Sequence, residues 1–214
     1  MTPEFLADQI ERSRANLGLE TIDVFYLHNP ETQLGFVPRS EFDARIRRAF
    51  QALEASVAAG KIRYYGTATW NGYRVKPDAA DALNLTRLIE IAREAGGDSH
   101  HFRFIQLPFN LGMVEAFVQG SGLLDTAASA GIAVVASASL LQGRLASNLP
   151  EALAEKIAGL STDAQRAIQF TRSTPGITAA LVGMSKAAHV AENLGLQAVA
   201  PLAREAYAAI FQPA

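Results

Sequence analysis

Ile22-Asp23-Val24-Phe25-Tyr26-Leu27-His28-Asn29-Pro30 is the stretch from which the rest of the chain is read. It is a short apolar run of β-favouring types, closed by a histidine and then by the turn pair Asn29-Pro30. That is the pattern of a buried strand delivering His28 to its C-terminal end. In parallel α/β folds, ligands gather outside the carboxyl ends of the strands, so a titratable side chain there is a candidate for chemistry. His28 could equally bond a neighbouring carbonyl, and spacing alone leaves both readings open.

Upstream, Thr2-Pro3-Glu4 reads as a helix start, with Thr2 as N-cap and Pro3 at the first helical position. Phe5, Leu6, Ile10 and Leu17 follow near helical spacing, and Gly18 terminates the helix. Downstream, a helix is expected over about 41–59, with Phe42, Ile46, Ala49, Phe50, Leu53 and Val57 on one face and Gly60 closing it. A strand over 61–69 and the turn Trp70-Asn71-Gly72 lead to a helix over about 81–94 that ends at Gly96-Gly97. The unit then recurs as a strand over 102–109, a helix over most of 114–130 and a near-continuous apolar strand over 132–136. Helices over 151–160 and 163–172, the second capped by Thr162 or Ser161, precede the turn Pro175-Gly176 and a strand over 177–182. A helix over 185–193 ended by Gly195 and a last one over about 201–211 complete the chain.

Five strands, each followed by a helix, give the βα rhythm of a parallel sheet. No glycine-rich phosphate fingerprint follows the first strand, which argues against a doubly wound sheet and for a barrel. The expected fold is therefore α/β, of (β/α)8 TIM-barrel type, with about five units present. Since a full barrel takes about 250 residues, roughly three units are expected to be missing at the N-terminus.

With 214 residues, 49% hydrophobic, the chain can build one large core, and no linker composition divides it, so a single domain over 1–214 is expected. A net charge of -2 supplies no basic field for nucleic acid or an anionic membrane, which leaves small molecules as the expected partners. The absence of cysteine excludes disulfides, thiolate nucleophiles and Cys-ligated metals, and suits a reducing cytoplasm. The N-terminus carries no signal-peptide pattern and no apolar run is long enough to span a bilayer, so a soluble, cytoplasmic protein is expected. His100-His101 are adjacent and would face opposite ways if extended, which is poor ligand geometry, so no metal site is expected.

Five segments, in order, resemble the aldo-keto reductases, (β/α)8 barrels that reduce carbonyls with NADPH. Asp23 to Pro30 resembles the strand ending in that family's catalytic histidine, and Gly60-Lys61-Ile62-Arg63-Tyr64-Tyr65-Gly66 its next helix-to-strand junction. Ile105-Gln106-Leu107-Pro108-Phe109-Asn110 is similar to the strand whose glutamine holds the nicotinamide carboxamide. Gly131 to Ala136, with Leu140, Gly143 and Leu145, resembles a fourth segment, and Ala180 to Ser185 with Glu192-Asn193-Leu194 resembles the grip on the adenosine end of the cofactor.

The resemblance implies His28 as catalytic, orienting a substrate carbonyl. It implies Ala68, Thr69, Gln106, Ser137, Gly183, Met184, Ser185, His189, Glu192 and Asn193 as cofactor-binding positions, with NADPH as cofactor and NADH as the alternative. Hydride attack builds charge on the carbonyl oxygen and needs a proton donor. The family's donor is a tyrosine tuned by a lysine and an aspartate, and none of the three has a counterpart here. Tyr26 reads as core packing one layer below His28, and Lys61 lies at the opposite end of its strand.

Other positions depart from the family pattern. Ala68-Thr69 stand where Ser-Asn is usual, Ser137 replaces a stacking tyrosine, Ser139 a proline, and His189 an arginine for the 2′-phosphate. Ser185 and Lys186 either compensate for that arginine or are a helix cap and a solvated charge. Trp70 either lines a substrate pocket or covers the barrel mouth.

The expected function is thus an NAD(P)H-dependent oxidoreductase acting on a small-molecule aldehyde or ketone. The alternative is a non-catalytic barrel remnant that binds nucleotide or a protein. Unpaired strand edges would further favour self-association.

Overall fold

The computed structural model describes residues 1–118 and 122–212. Its five strands are β1 (Ile22–His28), β2 (Ile62–Ala68), β3 (Phe102–Pro108), β4 (Ala133–Ser137) and β5 (Ala179–Ala180), in the order β1-β2-β3-β4-β5. The pairs β1/β2, β2/β3 and β4/β5 are parallel. Spatial order thus follows sequence order, as in the winding of a barrel, whereas a doubly wound sheet reverses at a switch point. Nine helices are described: α1 (Pro3–Leu17), α2 (Arg39–Ala58), α3 (Leu85–Gly96), α4 (Glu115–Val118), α5 (Leu123–Ser129), α6 (Glu151–Lys156), α7 (Asp163–Ser173), α8 (Ala187–Leu194) and α9 (Arg204–Ala209). Among the described residues, no helix is long and apolar enough to cross a membrane.

Contacts divide the chain into two compact units, Met1–Gln106 with Asp125–Ala133, and Leu107–Leu124 with Val134–Ala214. In the first unit, α1 is capped as its sequence implies. The Thr2 hydroxyl accepts from the Phe5 N–H and Gly18 closes the helix in the left-handed region, φ 66°. Leu6 and Ile10 are buried, but Phe5 and Leu17 stay exposed. The core is the apolar face of α2 (Phe42, Ile46, Ala49, Phe50 and Leu53, all buried) together with Leu88 and Ile91 of α3, Tyr65 of β2 and Phe102 of β3. The Phe50 ring lies 5.0 Å from that of Tyr65 and 5.1 Å from that of Phe102.

Beneath this core, at the N-terminal edge of β3, Glu54 accepts hydrogen bonds from the Tyr65 hydroxyl at 2.9 Å, the His101 N–H at 2.7 Å and the His101 ring at 2.8 Å. Burial alone would raise the Glu54 carboxyl, but these bonds outweigh it and hold the group below the usual carboxylate range. Burial pushes the neighbouring His100 imidazole below its ordinary 6.5. Both shifts destabilise the fold in acid. The unfolded chain binds the His100 proton first as pH falls below about 6.5. The Glu54 contribution is present above its unfolded value and is lost as pH drops through the lower folded one. The urea midpoint is therefore expected to fall as pH drops below about 6.5 and again below about 4.5, and Glu54→Gln to flatten the second, more acidic part of that slope.

The second unit is built on an aromatic cluster. Phe170 stacks on Tyr207 with centroids 5.2 Å apart, Phe117 meets Tyr207 edge-on at 5.3 Å, and the buried Tyr207 hydroxyl pairs with Thr174 at 2.7 Å.

Several expected boundaries shift for local reasons. The helix expected over 81–94 starts later because Asn84 takes the cap, its Oδ1 accepting from the Arg87 N–H. Where one helix was expected over 114–130, α4 and α5 are separate; residues 119–121 of that range lie outside the described residues. Gly195 stays right-handed, and the chain runs from α8 straight into a 3-10 turn over Gly195–Ala198. The strand expected over 177–182 contracts to the two residues of β5, extended at either side by bonds from the Thr178 N–H to the Val134 carbonyl and from the Leu181 N–H to the Ala136 carbonyl, both 2.8 Å.

Candidate functional site

In the first unit, His28 is paired in register with Ala68, and Ala68 with Gln106, so the last residues of β1 and β2 lie level with Gln106, two residues before the end of β3. His28 is exposed and Gln106 half-buried, and neither side chain bonds a described residue. The reading of His28 as a carbonyl-bonded strand end is therefore not realised. Ala68 is buried and offers no polar side-chain group.

Thr69 is 5% exposed, and its hydroxyl is already engaged: it donates to Glu31 Oε1 and accepts from the Gly72 N–H at 2.7 Å. Its one proton is thus held inside the protein. Trp70 is 43% exposed, with its N–H held by Asn29 Oδ1 at 2.9 Å. Tyr26 is half-buried and burial pushes its phenol up to about 12, which suits packing better than proton donation. Lys61 bonds Glu11 at 2.7 Å.

The second unit contains a cavity of about 730 Å³. Of the positions assigned by resemblance, Gly183, Ser185, His189, Glu192 and Asn193 line it. Met184 is exposed and Ser137 half-buried, and both lie outside the lining. Ser139 Oγ and Asn193 Oδ1 are buried without a partner among the described residues, as happens where a wall is built to meet a ligand. Glu192 is differently employed. Its carboxylate accepts from the Thr162 hydroxyl at 2.5 Å and its carbonyl from Gln165 at 2.8 Å, which ties α8 to the N-terminus of α7. Lys186, not Ser185, occupies the N-cap of α8, with no side-chain cap bond.

The segment along one side of the cavity carries three non-glycine residues with left-handed backbone, Ala138 (φ 55°) and Gln142 (φ 55°), which line it, and Leu141 (φ 45°), the kind of local cost that collects at functional sites. Asn110, fully buried, holds this wall: its Nδ2 donates to the Ala138 carbonyl at 2.9 Å and its Oδ1 accepts from the Gly112 N–H at 2.8 Å. Sequence reasoning did not single out Asn110 or Glu31, and it noted Ser139 only as a replacement. Among the described residues no cluster suits a metal ion; His100 pairs with Arg103, and His101 with Glu54.

No match was found among curated protein sequences. Several solved structures resemble the chain. A thermostable aldo-keto reductase in complex with the inhibitor epalrestat is 19% identical, with TM-score 0.68 over 97% of this chain and 65% of that one. An aldo-keto reductase from Bacillus halodurans in its holo form is 17% identical, with TM-score 0.67 over 100% of this chain and 69% of that one. An aldo/keto reductase from Klebsiella pneumoniae in complex with NADP and acetate is 23% identical, with TM-score 0.66 over 95% of this chain and 62% of that one. Identities this low establish the fold, which is of (β/α)8 barrel type; the chain spans just under two thirds of the first of these structures, 65%. The Aldo/keto reductase family matches over residues 1–212, and the chain belongs to that family.

Proposed function

We propose that the chain carries the nucleotide-binding and carbonyl-orienting part of an NAD(P)H-dependent oxidoreductase acting on an aldehyde or ketone. The observation that carries this reading is the cavity of about 730 Å³ with Ser139 Oγ and Asn193 Oδ1 unpartnered in its wall. Together with Ser185 and His189, these groups fit the hydroxyls and ring nitrogens of an adenosine moiety. The nicotinamide ring of the bound cofactor supplies the hydride. At the strand ends of the first unit, His28 offers a ring nitrogen to a carbonyl oxygen, and Gln106 a side-chain amide to a carboxamide. Both are uncommitted among the described residues.

Among the described residues no arginine or lysine lines the cavity, so a 2′-phosphate would meet no guanidinium fork there. Calorimetric titration of the full chain is expected to give saturable binding of NADPH and NADH with dissociation constants within about tenfold of each other. The absence of saturable binding by either would overturn the proposal.

A second reading, a nucleotide-binding protein without reductase activity, is favoured by Tyr26, the tyrosine nearest in sequence to His28, whose phenol burial makes a poor acid. Saturable binding without carbonyl-dependent oxidation of NADPH would select it. Among the described residues no strand pairs with the outer edge of β1, which favours association with a second strand-bearing chain. Sedimentation of the purified protein checks this, and a monodisperse monomer would count against it.

A further inference from the structure

Glu31 follows Pro30 in the 3-10 turn Pro30–Gly35, directly after the strand that ends at His28, and is only 4% exposed. Its Oε1 accepts from the Thr69 hydroxyl, whose oxygen in turn accepts from the Gly72 N–H at 2.7 Å. Two residues upstream of Glu31, Asn29 takes the left-handed backbone, φ 47°, which aims its Oδ1 at the Trp70 N–H, 2.9 Å away. The loop after β1 therefore grips the loop after β2 at two consecutive residues, Thr69 through its side chain and Trp70 through its backbone.

Gly72 closes the turn tightly. A Cβ there would lie 2.7 Å from Leu83 Cγ and 2.9 Å from Thr69 Oγ1. All of this fixes the main chain of a tryptophan whose own side chain remains 43% exposed, two residues beyond Ala68, the register partner of His28.

Stability alone does not account for Glu31. Its Oε2 is buried with no partner among the described residues, and an orphaned carboxyl oxygen is a cost that an apolar side chain would not incur. A large aromatic left open on a fixed main chain, just beyond the C-terminal end of a strand, is placed where a flat ligand could stack on it.

We propose that Glu31 is a positioning residue: acting through Thr69, it holds Trp70 as a fixed wall against which a flat conjugated ligand stacks beside His28. The ligand is either the nicotinamide ring or an aromatic carbonyl compound, which share that chemistry. The proposal rests on the reading of these strand ends as the ligand site of a reductase.

Trp70 is the only tryptophan in the chain, so tryptophan emission reports this position alone. The full chain and its Glu31→Leu and Glu31→Gln variants are compared, first for acrylamide quenching without ligand, then in separate titrations with NADP+ and with 4-nitrobenzaldehyde. The native protein is expected to be quenched saturably by at least one compound, and which one identifies the stacking partner. Glu31→Leu is expected to raise acrylamide quenching and weaken that binding about five- to tenfold, the effect of one lost hydrogen bond on a positioned group. Glu31→Gln, whose Oε1 still accepts from Thr69, is expected to recover most of the loss.

If Glu31→Leu does not fold, Thr69→Val makes the same test by removing the hydroxyl, with Thr69→Ser as its rescue. A folded Glu31→Leu or Thr69→Val protein with native quenching and native affinity overturns the role of Glu31 while leaving the ligand site intact. If neither compound quenches the native protein, the strand-end site itself fails, and the inference with it.

Discussion

Gly66→Ala is expected to lower the stability of the protein by about 3 kcal/mol or more, the upper end of what overpacking costs. Gly66 of β2 faces Phe104 of β3 immediately after a register shift between Tyr65 and Gly66. A Cβ at this position would sit 2.1 Å from the Phe104 carbonyl oxygen and 2.8 Å from its carbon, so the obstacle is backbone, with no flexible side chain to turn aside. Relief requires β2 and β3 to separate, yet Tyr65 and Thr67 on either side of Gly66 are fully buried. Urea unfolding measures the loss as a lower midpoint at unchanged slope. A change below about 1 kcal/mol would show that the two strands can part without repacking. The same separation would disturb the alignment of His28, Ala68 and Gln106, so ligand binding in any folded fraction is expected to weaken as well.

Asn110→Ala is expected to cost about 3 kcal/mol, combining two lost hydrogen bonds with buried groups left unpaired. The Gly112 N–H loses its acceptor, and the Ala138 carbonyl keeps only the Leu141 N–H at 2.7 Å. The variant also tests what holds the left-handed backbone at Ala138, because a turn freed from Asn110 can relax toward an ordinary conformation and reshape the cavity wall. Asn110→Asp keeps the acceptor for Gly112 but turns a carboxylate oxygen toward the Ala138 carbonyl, and is expected to be no better. Denaturant unfolding, with NADPH binding measured on the folded fraction, reads both effects.

What the sequence made legible was local. Thr2, Pro3 and Gly18 bracket α1 because a cap, a fixed φ and a left-handed terminus each depend on residues a few positions apart. The apolar run ending at His28 reads as a strand from its own composition, whereas its burial does not follow from it: only Ile22 and Leu27 of the seven residues of β1 are buried, because burial depends on what packs against each face. The start of the helix expected over 81–94 was not legible, because it depends on the Asn84 side chain reaching the N–H three residues ahead.

Long-range contacts left no such mark. Glu31 looks like a solvated acid at the start of a helical turn, and only Thr69, 38 positions away, makes it a buried hydrogen-bond acceptor. Asn110 looks like a turn residue, and its importance comes from Ala138, 28 positions on. Family resemblance implied His189, Asn193 and Thr69 as cofactor-binding positions; the first two line the cavity, while the Thr69 hydroxyl is already engaged with Glu31, which no resemblance could show.

The brevity of β5 has a consequence for how the protein would respond to occupancy. Two paired residues and a flanking bond at each side make a ladder that opens locally long before the chain unfolds as a whole. In amide hydrogen exchange, Thr178 and Leu181 should therefore lose protection early, ahead of the amides paired along β1 and β2. Leu181 also lines the cavity, so a ligand that requires the closed ladder would, by mass action, slow exchange at those amides. The shortest strand of the sheet would then serve as a built-in gauge, its deuterium uptake expected to fall as the cavity beside it fills.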